Sequence, residues 1–497
     1  MKFIQKTIPM IYIVMFTIIL FILFFYSGVD YYLKRELFIP NLLILLIIVP
    51  IFLYYYFCIK ETKDIAEKKY YKYLTIISIV SYVLQIILTI SIYFYTDWDV
   101  KVIREIVNEY MENRSLNNNF YLSLYPNNIL FTAILVLIKS IPIFGEHYLF
   151  LLGINCILVN LAGIFTSLTI KNITTNKLSL LCFVVMIPLV VLSPWIVIPY
   201  TDTFAILFPI LIVYLYTKKS RKKIDYYLIG LLSLFGYYIK PTVIITFIAI
   251  VIVEFISNLS IILDKSILKQ NIKKYMTIVG MVIIGLMTAI SLNKLSYKIL
   301  NFKPMESVNP VTFVHYLSMG QNDQTLGAYS QSDVDDTIAK GEKNNLKKFF
   351  NRLTNRGFFE QINFFSKKTL LNFNDGSFSW GLDGTFFYEK TDCKNKFSEI
   401  LREFYYNDGK YYKLFIQMTT ILWIIVLFFC PFIIKKSNTK NEMVLMLSII
   451  GITIFLTIFE PRTRYLYCYS CIFIVTSILG LERLKRIIME INKKKKI

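Results

Sequence analysis

The sequence predicts an all-α polytopic membrane protein of about 12 transmembrane helices. Interfacial helices are expected in a first long extracytoplasmic loop, and a mixed extracytoplasmic domain in a second. Three observations predict this class. Apolar residues make up 56% of the 497 and the mean hydropathy is +0.56, too high for a set of water-soluble domains. These residues gather into runs long enough to cross about 30 Å of hydrocarbon. The basic residues, finally, crowd the flanks on one side of those runs.

Taken in order, the run 8–27 has no small-residue cleavage site behind it and is followed by a second run, 38–59, so it is read as a retained helix. A third run, 73–95, delivers "DWD" (97–99) to its mouth. The loop 96–147 opens with an amphipathic helix around Val100–Met111. It also holds "ILFTAILVLIKSIPIF" (129–144), which Lys139 and Pro142 interrupt and which is read as re-entrant or interfacial. Spans follow at 148–170, 178–195, 202–217, 224–239, 241–257 and 275–293, with a tight hairpin at Lys240-Pro241. The second long loop, 294–412, carries turn signals in "NFNDGSFSWGLDGTFF" (372–387), a charged helical segment near 333–356 and aromatic residues throughout. That composition describes a small domain folded against the membrane, not a disordered segment. Spans 414–434, 442–459 and 465–481 and a basic tail complete the chain, dividing it at 1–95, 96–147, 148–293, 294–412, 413–481 and 482–497.

The side that holds both termini carries 28 Lys and Arg in its flanks against five in the short loops of the other side, which places the termini in the cytoplasm. The loop 294–412 has 16 basic and 14 acidic residues, so the formal charge of +21 belongs to the membrane flanks and not to a nucleic-acid surface. "KKKK" (493–496) reads as a contact with anionic lipid. The seven cysteines show neither a disulfide framework nor zinc spacing.

This topology sends a set of polar residues to the extracytoplasmic mouth: Asp97 and Asp99; Tyr125, Asn127 and Asn128 of "YPNN"; Asp202 of "PYTD"; Lys240; His315; and Glu460, Arg462 and Arg464 of "EPRTRY". Ionisable groups from several span ends point to a functional site. A carboxylate can take the proton of an attacking hydroxyl, while Lys and Arg hold a departing phosphate. Arginines at headgroup height suit a lipid-linked donor. Each residue also has a plainer reading. Asp97, Asp99 and Asp202 can cap helices, Lys240 can snorkel, the arginines can bind headgroups, "YPNN" can be a turn and His315 a paired loop residue.

On "DWD", "YPNN", "PYTD", "HYLSMGQNDQTLGAYSQSD" (315–333) and "EPRTRY", the chain resembles the C-type membrane glycosyltransferase superfamily, the polyprenyl-phosphate-sugar-dependent enzymes of Gram-positive cell envelopes. It is distantly similar to protein O-mannosyltransferases and the aminoarabinose transferases of lipid A. The resemblance covers the topology of most of the chain. It implies a bacterial cytoplasmic-membrane enzyme with an extracytoplasmic site, an undecaprenyl-phosphate-linked sugar donor, and a cell-envelope glycan, teichoic-acid-like polymer or lipid as acceptor. It further implies Asp99, or its neighbour Asp97, as general base in an inverting transfer, with Lys240, Arg462 and Arg464 on the phosphate. Metal dependence varies in the superfamily; if Mg or Mn is used, Asp97 or Asp99 would bind it, and no other cofactor is implied. One departure is that two spans precede the one leading to "DWD", where the superfamily pattern has the acidic loop after the first span. A polysaccharide polymerase or ligase and a lipid-linked oligosaccharide flippase stand as alternatives.

Overall fold

In the computed structural model, residues 2–25, 40–58, 63–142, 147–259, 265–393 and 395–494 are described. Lys34, Arg35 and the side chains of the 493–496 tail lie outside them. Among the described residues, seven helices are long and apolar enough to cross a membrane: Lys6–Phe25, Glu67–Ile92, His147–Ile173, Gln270–Ile299, Tyr412–Ile433, Lys440–Ile458 and Arg464–Asn492. Five shorter apolar helices accompany them, at Asn41–Tyr54, Pro126–Lys139, Asn176–Val191, Thr201–Thr217 and Pro241–Ser257. The chain is an integral membrane protein, mostly helical.

The short helices have a physical cause in the segment that leads to "PYTD". Pro188 opens the Asn176–Met186 helix into a π-turn at Ile187–Val191, and Pro194 starts a 3-10 turn at Pro194–Val197. Breaking a helix among apolar residues frees carbonyls that lipid cannot satisfy. Side chains of other elements take them up. Gln85 Nε2 donates to Val191 O at 2.8 Å, Asn155 Nδ2 to Ile196 O and Ile198 O at 3.1 Å each, and the Tyr467 hydroxyl to Val190 O at 3.1 Å. Gln85 and Asn155 are both fully buried. The break lets the chain turn before Thr201, setting Tyr200 and Asp202 at the start of the next helix.

The two long loops are joined to each other and to the bundle. Phe94–Thr96 (β1) pairs antiparallel with Phe387–Lys390 (β2), Tyr95 opposite Glu389, and Asp97 N–H continues the ladder to Phe386 O at 3.1 Å. Arg402, on the Lys396–Tyr405 helix, clasps both sides of the junction, donating to Ser91 O at 2.9 Å and Thr391 O at 2.6 Å. The "NFNDGSFSWGLDGTFF" stretch is sunk into the bundle. Trp195 donates its indole N–H to Ser377 O at 3.1 Å, Trp380 to Tyr405 O at 2.6 Å and Trp423 to Phe373 O at 3.0 Å, and all three rings are fully buried. The charged helical segment appears as Gln331–Thr354, interrupted at Gly341, and the amphipathic helix as Trp98–Asn113.

Candidate functional site

The "DWD" triplet follows β1 directly. Trp98, the first residue of the Trp98–Asn113 helix, has φ 52°, a left-handed conformation that costs a non-glycine residue on the order of 1 kcal/mol or more. The two carboxylates flanking this turn end in different surroundings. Asp97, whose side chain is 50% exposed, lies 3.9 Å from Lys101. Asp99 accepts a hydrogen bond from the Tyr200 hydroxyl at 3.0 Å. Tyr121 faces the same carboxylate, and its hydroxyl accepts from Asn128 Nδ2 at 2.8 Å. Burial pushes the Tyr121 phenol well up, and the nearby Asp99 charge adds to it, so Tyr121 keeps its proton and serves as donor. Among the described residues no Lys or Arg nitrogen lies within 4 Å of Asp99.

"YPNN" folds as a 3-10 turn, Pro126–Asn128, with Pro at its first position. Asn128 is buried on Tyr121, Asn127 Nδ2 donates to its neighbour Asn128, and Tyr125 packs on Tyr121 with ring centroids 5.1 Å apart.

Two ion clusters complete the mouth. In the first, Lys240 Nζ lies 2.5 Å from Asp202 Oδ1 and Arg464 Nε 3.6 Å from Asp202 Oδ2. The three side chains are 9%, 12% and 1% exposed for Lys240, Arg464 and Asp202, so two cations share one carboxylate out of water. The Arg464 guanidinium lies 4.6 Å from the Trp98 ring centre and 5.7 Å from that of Tyr200, which places this cluster beside Asp99. In the second, Arg462 Nη1 donates to Asp383 Oδ1 at 2.9 Å and Nε to Glu460 Oε1 at 3.1 Å. Here two carboxylates share one cation. Tyr465 stands between the clusters, with Lys240 Nζ 3.8 Å from its ring centre and its hydroxyl donating to Glu460 Oε2 at 3.0 Å. A recess of about 120 Å³ lies against the second cluster, walled by Tyr329, Ser379, Leu382, Asp383 and Arg462.

The "EPRTRY" segment is fixed from behind. Thr463 Oγ1 donates to Leu371 O at 2.6 Å. Lys368, fully buried on the Phe358–Phe373 helix, donates to Phe459 O at 2.8 Å and Gly320 O at 2.7 Å. Burial holds the Lys368 ammonium well below the usual lysine range. Gly320 allows the approach, since a Cβ there would sit 2.4 Å from the Phe459 carbonyl carbon. His315 stands apart from the ion clusters, its Nδ1 2.7 Å from Thr337 Oγ1, and burial lowers its pKa.

The structure thus brings Asp99, Asn128, Tyr125, Asp202, Lys240, Glu460, Arg462 and Arg464 to one mouth, while Asp97 lies at its edge and Asn127 and His315 outside its ion pairs. No group of three or more His, Cys, Asp or Glu gathers among the described residues. Sequence reasoning missed Asp383, Tyr121, Tyr200, Tyr465 and Lys368. Asp383 sat inside a turn signal, and Tyr200 and Tyr465 inside motifs already singled out. Lys368 left a subtler trace, a charge on the apolar stripe Phe364–Lys368–Leu371 at helical spacing.

A family model described as "Conserved hypothetical integral membrane protein" matches residues 1–484. The chain belongs to that family. No curated protein and no solved structure matches it.

Proposed function

We propose that this family member is an inverting glycosyltransferase of the C-type membrane class, with about 12 spans, both termini in the cytoplasm of a bacterium and its site outside. It would move a sugar from an undecaprenyl-phosphate carrier to a hydroxyl of an envelope glycan, teichoic-acid-like polymer or lipid. The observation that carries the reading is the juxtaposition of Asp99, a carboxylate with phenol partners and no cation within 4 Å among the described residues, with a buried cluster in which two cations share one carboxylate. An acceptor hydroxyl gives its proton to Asp99 as its oxygen bonds to the anomeric carbon. The bond from that carbon to the phosphate oxygen breaks with its electron pair, and the polyprenyl phosphate leaves toward Lys240 and Arg464. The Tyr200 and Tyr121 hydroxyls orient the Asp99 carboxylate without neutralising it.

Sugar transfer from synthetic polyprenyl-phosphate sugars by the purified protein tests this directly. Asp99→Asn is expected to lower transfer by about 10²–10⁴, the usual contribution of a general base, while donor binding persists. Asp97→Asn is expected to stay within a few-fold of wild type. Equal transfer in all three proteins would return "DWD" to a helix-start role. Donor left intact by the wild type would sink the transferase reading itself.

A further inference from the structure

At the opposite end of the bundle from the mouth, the start of α1 (Lys2–Phe25) and the turn before the Lys440–Ile458 helix border an open apolar groove of about 480 Å³. Pro9, Met10, Ile13 and Ile434 form its walls, and Lys6, Lys435 and Lys436 its polar rim. The charges do not balance. Lys435 Nζ sits 2.5 Å from Glu442 Oε1, whereas no carboxylate lies within 4 Å of Lys6 or Lys436 among the described residues. The Glu442 carboxylate is itself already engaged by Asn438 Nδ2 at 3.2 Å and by the Thr439 N–H at 2.8 Å. Two lysines, from segments over 400 residues apart in sequence, therefore line one apolar groove with no carboxylate within 4 Å among the described residues.

We infer that this groove is a binding site for one anionic phospholipid, its phosphate held by Lys6 and Lys436 and an acyl chain laid against Met10 and Ile13. Two features of the groove select that occupant. Met10 and Ile13 are 62% and 44% exposed on a helix long and apolar enough to cross the membrane, so the channel opens toward lipid and not toward water. The rim supplies charge that suits a phosphate, whose oxygens accept from ammonium donors at the height where a headgroup lies. A zwitterionic lipid would bring its own cation into a rim that already has two in excess. The site would staple α1 to the far end of the bundle, where Tyr12 already reaches Cys430 O at 3.4 Å.

The test is native mass spectrometry of the full chain, titrated in detergent with phosphatidylglycerol or phosphatidylcholine. Wild type is expected to hold one phosphatidylglycerol at least 10-fold more tightly than phosphatidylcholine. K6Q/K436Q should reduce that preference to within 2-fold, K6R/K436R should keep it, and Ile13→Trp, which fills the channel and spares the charges, should weaken both lipids. Thermal unfolding without added lipid should be the same for wild type and K6Q/K436Q, separating a lost ligand from a lost fold. Equal affinity for the two lipids in wild type, or an unchanged preference in K6Q/K436Q, would overturn the proposal. Displacement of phosphatidylglycerol by millimolar inorganic phosphate would overturn it as well, since the site would then read the anion alone.

Discussion

The two ion clusters on either side of Tyr465 use the same residue classes in opposite proportion. Lys240 and Arg464 share Asp202, while Asp383 and Glu460 share Arg462. The first carries one positive charge in excess and the second one negative. A buried excess charge is expensive unless something outside the cluster balances it; Asp383 of the second cluster offsets part of the first through Arg464, and an anionic ligand would add to that on the first side only. The sequence groups Arg462 with Arg464 because they are two residues apart in one motif. The structure gives them different nearest partners, since Arg462 pairs with Asp383 and Glu460, while Arg464 shares Asp202 with Lys240 and meets Asp383 only at longer range. Position in a motif therefore says less about role than the local count of charges.

The largest effect expected from breaking this contrast is at Asp202. Asp202→Ala leaves Lys240 and Arg464 buried together with no carboxylate, and loss of one partner from such a cluster typically destabilises by about 3–5 kcal/mol. Thermal unfolding in detergent should drop sharply, and pairing the change with Lys240→Met should recover most of the loss. An Asp202→Ala protein as stable as wild type would mean that water reaches the cluster freely. A smaller and more selective effect separates the arginines. Arg464→Gln is expected to weaken retention of polyprenyl phosphate by about 10-fold or more, in line with a lost charge-assisted contact, and Arg462→Gln by less than about 2-fold. Equal losses from both substitutions would erase the distinction between the clusters.

How much of this was legible in the sequence depended on the range of the interaction. The long apolar runs, the amphipathic Trp98–Asn113 helix and the Gln331–Thr354 helix follow from local periodicity, and the structure shows each close to its expected place. The mouth could be anticipated as a set of residue types because topology sends span ends to a common side. Its internal pairing could not. Asp383 and Arg462 are 79 positions apart, and Asp99 and Tyr200 are 101. The β1–β2 pair joins strands of three and four residues almost 300 positions apart, too short for alternation to announce. Gln85 and Asn155 look like stray amides in apolar runs until the broken helix they satisfy is in view.

The smallest effect sharpens the comparison from the Gln331–Thr354 helix. Asp333 also has two cations, Arg352 Nη2 at 2.8 Å and Lys348 Nζ at 3.0 Å, but unlike the pair on Asp202 one of them, Lys348, has a second carboxylate in Asp336. Its cations are also 21% and 26% exposed, so Asp336 and water share the load that the Lys240 and Arg464 pair carries largely out of water. Burial alone would raise the Asp333 carboxyl, but hydrogen bonds from Arg352, Asn322 and Lys348 outweigh it and hold the pKa to about 2. A depressed carboxylate stabilises the fold above its unfolded pKa, near 3.9, and that contribution fades as pH falls from about 4 toward 2. His315 acts in a separate window. Burial lowers its pKa, so the unfolded chain takes the proton first and stability falls once pH drops below about 6.5. Melting temperatures between pH 7 and pH 3 should therefore decline in two stages, the first removed by His315→Gln and the second reduced by Asp333→Asn. A single stage that neither substitution alters would assign the acid sensitivity to the mouth itself, where the clusters differ most.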